Sequence, residues 1–352
     1  MIRLDADNDA PTPAESAARL AAAVDSRPGL AADSYGDGAV VREAEAMVAR
    51  LLGKERAVLF ATGTLANLLA LDRLCPRRAR RVLVHPESHF AEDTGDSAAL
   101  AGLTLVRVAA SGPGFTAEAA LAAIAASRAG RVRQEVGAIL VETPVRRRAN
   151  QMFPLAELDR VVAAAKAEKI ALHLDGARLP IAAASAGRSC AAFAAPFDAV
   201  YLSLWKMLGL PWGAALAGPA ALLEGIEHDR RRFGGALPQL WPLAAMVLAH
   251  LEERLAVWPA VLARAAEVRA ALAADGRFVV VAMDGDATNS FWLEAPGVEP
   301  AALREAARAA GLALPEPKAA RFPLRANPTW LTLAPAALAA RLAAAAVTTS
   351  RA

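Results

Sequence analysis

Two stretches decide the fold: Leu172-His173-Leu174-Asp175-Gly176-Ala177-Arg178 and, one helix later, Tyr201-Leu202-Ser203-Leu204-Trp205-Lys206. Each starts as an apolar run of the length of a buried strand, and each delivers one charged residue at its end. An aspartate after a strand often does no more than cap the next helix. A single lysine more often lays its methylenes on the surface and keeps its amine in water. The pair, in this order and flanked by Gly176 and Gly209, fits a narrower chemistry. A carboxylate can keep a pyridine nitrogen protonated and an amine can bond to an aldehyde, and pyridoxal 5'-phosphate (PLP) depends on those two protein groups. Lys206 also lies in an otherwise apolar run, where a lysine without such a task is unfavourable to bury.

Outward from this pair, strands expected at 57–60, 81–85, 103–108, 136–142, 172–175, 201–206 and 213–217 alternate with helices at 40–52, 117–126, 155–168 and 181–186. The alternation predicts an α/β fold with a mostly parallel seven-stranded sheet covered on both faces. Ligands of such sheets gather beyond the carboxyl ends of the strands. Gly63, His89, Glu142, Asp175 and Lys206 all fall at such ends. Thr62-Gly63-Thr64, at a strand-to-helix turn, offers backbone N–H groups and hydroxyls to an anion such as a phosphate, although such turns are more often plain helix caps. His89 is placed to stack on a flat ring or to serve as a capping or surface histidine. Pro86 denies His85 and His89 a regular helical face, so no metal site is expected. Gly36-Asp37-Gly38 lacks the third glycine and the preceding strand of a dinucleotide fingerprint.

Residues 1–29 read as an N-terminal arm without a core of its own, 30–245 as the large domain, and 246–352 as a smaller C-terminal α+β domain. Between them, 240–274 is helical and kinked or interrupted near Pro242 and Pro259. The small domain is expected to hold strands at 278–282, 290–294 and 329–333, with helices at 301–310 and 336–346. At 352 residues and 55% hydrophobic, the chain can bury a large core, which excludes disorder. The net charge of +3 comes from scattered arginines, and the runs 146–148 and 230–232 read as solvated faces rather than a nucleic-acid surface. Residues 233–251 lack charge but contain Pro238, Pro242 and His250, against a membrane span. Two cysteines without metal spacing and a start unlike a signal peptide point to a reducing, cytoplasmic setting.

Further segments carry a resemblance: Ala6-Asp7-Asn8, Tyr35-Gly36-Asp37, Leu51 to Glu55, Thr62-Gly63-Thr64-Leu65-Ala66-Asn67, Glu87-Ser88-His89, His173 to Arg178, Lys206 with Gly209, and Phe233-Gly234-Gly235. With these the chain resembles the threonine aldolase and aromatic amino acid β-eliminating lyase family of PLP enzymes, of aspartate aminotransferase fold type I. The resemblance implies that Gly63 and Thr64 bind the cofactor phosphate, that His89 stacks on the ring, and that Asp175 meets its nitrogen. It puts Arg178 near the ring hydroxyl and the substrate carboxylate, and Lys206 at the aldehyde. Ser203 joins the implied cofactor set, and Tyr35 and Arg325 join Arg178 in the substrate set, with Arg321 in reserve. A homodimer or homotetramer is implied as well. The chain departs from the family pattern at Ala6, where a serine is usual, and after Glu142, where Thr143-Pro144-Val145-Arg146-Arg147 replaces asparagine, histidine and asparagine before an arginine. Pro238 is a third departure.

The expectation is a PLP-dependent lyase cleaving a small 3-hydroxy amino acid to glycine and an aldehyde. His89 takes the β-hydroxyl proton, with Glu92 as a helper. Rivals are β-elimination, racemisation or transamination on the same scaffold, an NAD-linked dehydrogenase, and a catalytically silent relative.

Overall fold

The apolar runs expected as strands pair into one sheet, described here from a computed structural model covering residues 1–281 and 288–349. Among the described residues the strands are β1 (Ile2–Arg3), β2 (Arg56–Phe60), β3 (Arg81–Val84), β4 (Thr104–Arg107), β5 (Val136–Glu142), β6 (Ala171–Asp175), β7 (Ala199–Ser203), β8 (Ala214–Gly218), β9 (Val279–Val281), β10 (Ser290–Glu294), β11 (Leu312–Ala313) and β12 (Phe322–Arg325). The large sheet has the order β2-β8-β7-β6-β5-β3-β4. From β4 to β7 all pairings are parallel, and β8 runs antiparallel to both β7 and β2. Alternate side chains feed separate cores: Ala57 and Leu59 of β2 enter the larger one, Val58 and Phe60 a smaller one on the opposite face. Two buried faces explain why β5 reads as an unbroken apolar run up to Glu142. This is the doubly covered, mostly parallel α/β sheet of fold type I.

Local chemistry corrects several expectations. The strand expected over 201–206 stops at Ser203, whose hydroxyl accepts from the Lys206 backbone N–H at 3.4 Å and caps the short helix Leu204–Leu208. Lys206 therefore projects from the first turn of a helix beyond the strand. The helical stretch is interrupted near Pro259 as expected, at Val257, while neither Pro242 nor Pro259 kinks a helix. Each is the second residue of its own helix, Trp241–Ala256 and Trp258–Asp275, where the missing N–H would have had no partner anyway. The first of these helices packs against Ala39–Leu52 and passes unbroken through position 245, so the domain border expected there falls within a helix.

In the C-terminal part, β12, β10 and β9 form an antiparallel sheet. The strand expected at 329–333 is instead a 3₁₀ helix, Pro328–Thr332: the Asn327 side chain accepts from Thr329 N–H at 3.0 Å and Pro328 fixes the first turn. The third strand comes from Phe322–Arg325, tolerating Pro323 because it lies at the sheet edge. Of the strand expected at 278–282, Ala282 lies outside the described residues.

The first residues are tied down at both ends. β1 pairs in parallel with β11, Leu4 is fully buried, and Asn327 Nδ2 donates to the carbonyls of Arg3 and Ala6. That anchorage carries Asp7 and Asn8 to the carboxyl ends of β6 and β7. Asn8 Nδ2 donates to Lys206 O at 2.9 Å. The helix Pro13–Asp25 then starts on a reciprocal cap between Thr12 and Glu15. Among the described residues no helix is long and apolar enough to cross a membrane.

Candidate active site

The strand ends converge on a cavity of about 370 Å³ lined by Gly63, Thr64, His89, Glu142, Asp175, Arg178 and Lys206, within the size range of small-molecule sites. Tyr201, Trp205, Trp212 and Arg146 complete much of the wall.

Asp175 ends β6 almost completely buried, yet both its oxygens are engaged. Asn67 Nδ2 donates to Oδ2 at 2.8 Å and the Ala177 N–H to Oδ1 at 3.2 Å. Asn67 is itself held by buried His173, whose Nε2 faces the Asn67 Oδ1 at 2.8 Å. The carboxylate thus has a fixed direction. Across the cavity, burial and then the Arg178 charge bring the Lys206 amine down to about 8, against the pull of Asp175, Asp7 and Glu142. Its Nζ lies 5.3 Å from the centre of the Trp205 ring.

Glu142, the last residue of β5, organises two loops at once. Its Oε2 accepts from the His89 N–H at 2.5 Å and its Oε1 from the Arg146 N–H at 3.0 Å. Burial and the Asp175 charge push its carboxyl up to about 7. Burial also lowers the His89 imidazole, with the Lys206 charge acting the same way and Asp175 opposing, so His89 is neutral at pH 7.

Arg178 is 4% exposed, and its Nε donates to Asp7 Oδ2 at 2.8 Å. Arg325 Nη1 reaches the other oxygen of Asp7 at 3.5 Å and lines an adjoining cavity instead of this one. Arg321 pairs with Glu294.

Gly63 opens the twelve-residue helix Gly63–Leu74 with its N-terminus toward the cavity, and Thr62 caps it. A Cβ at Gly63 would collide with the buried Tyr201 hydroxyl, so only glycine lets this turn settle onto β7.

The structure does not bring every expected residue to the cavity. Ser203 is fully buried and uses its hydroxyl as a cap. Tyr35 is 44% exposed, outside the cavity, with Arg231 stacked 4.4 Å from its ring centre. Glu92 pairs with Arg107, away from His89. His85 is buried, with Nε2 donating to Gly112 O and Nδ1 accepting from Glu87 N–H. Conversely, Asp7 and Asn67 stand out in the sequence only as members of longer segments. Their tasks, holding Arg178 and Asp175, needed the fold.

The family description Beta-eliminating lyase matches residues 4–292. The chain belongs to the β-eliminating lyase family. A low-specificity L-threonine aldolase 1 of Arabidopsis thaliana is 27% identical over 225 residues, 63% of this chain and 63% of that protein. An alanine racemase of Cochliobolus carbonum is 28% identical over 211 residues, 60% of this chain and 54% of that one. The alignments therefore span less than two thirds of these curated relatives. A Listeria monocytogenes structure designated an L-allo-threonine aldolase superposes with a TM-score of 0.81 at 24% identity, covering 99% of this chain and 96% of that chain, a likeness of fold.

PLP is the cofactor of this family, and the cavity fits it. An oriented buried carboxylate, an amine of lowered basicity, a ring beside them at His89 and a helix N-terminus for phosphate all open on one space.

Proposed function

We propose that the protein is a PLP-dependent carbon–carbon lyase that cleaves a small 3-hydroxy amino acid to glycine and an aldehyde. The observation that carries this reading is that Asp175, Lys206 and His89 line one cavity.

The cofactor, when bound, supplies the electron sink for the pair released as the Cα–Cβ bond breaks. Asp175, held by Asn67 and the Ala177 N–H, would pair with the pyridine nitrogen of the cofactor. Lys206, with its amine lowered to about 8, has a fraction of neutral nitrogen near pH 7, the form that bonds to a carbonyl. The N–H groups at Gly63 and Thr64, at the helix N-terminus on the cavity wall, would hold the phosphate. Neutral His89 accepts the proton from the substrate β-hydroxyl oxygen. Arg178 orients the substrate carboxylate with the donors that Asp7 leaves uncovered, and Arg325 stands behind Asp7, one step further away. An oligomer belongs to the same proposal, and Tyr35, exposed and outside this chain's own cavity, would then serve the site of a second copy.

Product analysis tests the reaction type. The PLP-loaded protein is incubated in deuterated water with threonine, allo-threonine, phenylserine, serine and alanine, and followed by NMR. Glycine and aldehyde in equal amounts from the 3-hydroxy substrates are expected. Pyruvate from serine alone, or deuterium exchange at Cα of alanine without any glycine, would move the reaction to elimination or racemisation.

A further inference from the structure

The turn after β5 carries Arg146, Arg147 and Arg148 as a 3₁₀ helix. Two features separate Arg146 from an ordinary solvated arginine. The first is rigidity. The Arg146 N–H is held by Glu142 Oε1, and the turn is closed by Val145 N–H donating to Gln151 O at 2.8 Å. The carboxylate that fixes His89 therefore also fixes the backbone from which Arg146 reaches into the cavity.

The second is charge. Three guanidinium groups meet two carboxylates here. Arg147 grips Asp93 with two donors, Nε to Oδ2 at 3.3 Å and Nη2 to Oδ1 at 2.6 Å. Arg148 pairs with Glu87 at 2.6 Å. Among the described residues the Arg146 guanidinium has one ion pair, Nη1 to Asp93 Oδ2 at 3.0 Å, on a carboxylate that Arg147 already grips. Its side chain is 51% exposed, on the wall shared by the central cavity and a larger one of about 810 Å³. The other cations of the central cavity have tasks: Arg178 is paired with Asp7, and Lys206 is the amine of the proposed reaction. Arg146 is thus the guanidinium of this wall that has no carboxylate to itself, beside the cavity that His89 and Lys206 line.

Resting on the proposed lyase reaction, we propose that the substrate's β-substituent ends in a carboxylate and that Arg146 receives it. The substrate class is a 3-hydroxy dicarboxylic amino acid, of which 3-hydroxyaspartate is the smallest, giving glycine and an oxo acid. A guanidinium binds a carboxylate through two parallel N–H···O bonds, which a methyl or carboxamide cannot reproduce. Charge-assisted hydrogen bonds of this kind are worth roughly 10- to 100-fold in binding.

The test compares kcat/KM of the PLP-loaded enzyme for 3-hydroxyaspartate and 3-hydroxyasparagine, in the wild type, Arg146→Gln and Arg146→Lys. In parallel, the cofactor absorption band is titrated with aspartate and asparagine, which lack the hydroxyl and need no cleavage. The acid is expected to be favoured roughly 10- to 100-fold over the amide in both assays. Arg146→Gln brings both ratios close to one, and Arg146→Lys keeps part of the preference. Equal treatment of acid and amide by the wild type, or an undiminished preference in Arg146→Gln, overturns the proposal. Cleavage of neither substrate would refute the lyase reading instead, and the titration would still decide whether Arg146 selects an anion.

Discussion

Lys206→Ala is expected to lower turnover of a 3-hydroxy amino acid on the order of 10⁴-fold or more, the scale seen when a covalent group is removed from a catalytic set. Among the residues lining the cavity no other side chain carries a primary amine. The substitution leaves the fold intact, since Ser203 caps the helix through the Lys206 backbone N–H, which alanine retains. It also removes a cation that burial disfavours, so the melting temperature should hold or rise. Single-turnover kinetics alongside thermal denaturation separate the two effects. A variant that melts like the wild type and still turns over at more than a hundredth of its rate would refute the role given to this amine.

Asp7→Ala acts on stability. Arg178 is buried and its charge is balanced chiefly by Asp7, with Arg325 and Asn150 on the other oxygen. Removing one partner of a buried pair costs about 3–5 kcal/mol because the remaining charge stays in low dielectric. The wild type carries the same interaction in its pH profile. Burial alone would raise the Asp7 carboxyl, but the charges of Arg178 and Arg325 outweigh it and hold it at about 2. A depressed value means that the ionised group stabilises the folded state. The contribution is complete above the unfolded value of about 3.8 and is lost as pH falls toward 2, a change of about 2 kcal/mol. Urea melts of wild type and Asp7→Asn between pH 2 and 7 measure it. The curves should converge at the acid end and separate above pH 4, and parallel curves throughout would contradict the pairing.

What the sequence disclosed follows from physical range. Asp175 and Lys206 were legible because each is the single charged residue after an apolar run, and an α/β alternation sends such residues to one edge of the sheet. Gly63 was legible as a strand-to-helix turn, although the contact with Tyr201 that requires glycine there was not. Ser203 was ambiguous because a hydroxyl at a strand end looks the same whether it meets a ligand or caps the next helix, and in the fold it caps. Thr329 to Leu333 has the threonines, tryptophan and leucines of a strand, and only Asn327 and Pro328 just before it decide for a turn. Pro323 concealed a true strand that lies at an edge. Least legible were pairings across long sequence distances, Asn67 with Asp175 and Asp7 with Arg178, since nothing local in either partner names the other.

The central claim is that Lys206 and no other lysine joins the cofactor. The chain has only five lysines, at 54, 166, 169, 206 and 318, which makes the claim testable in one measurement. The PLP-loaded protein is reduced with borohydride and digested, and its peptides are sequenced by mass spectrometry. The phosphopyridoxyl mass is expected on the peptide containing Lys206, at close to one per chain. Stoichiometric label on Lys54, Lys166, Lys169 or Lys318 with Lys206 unmodified would contradict the account.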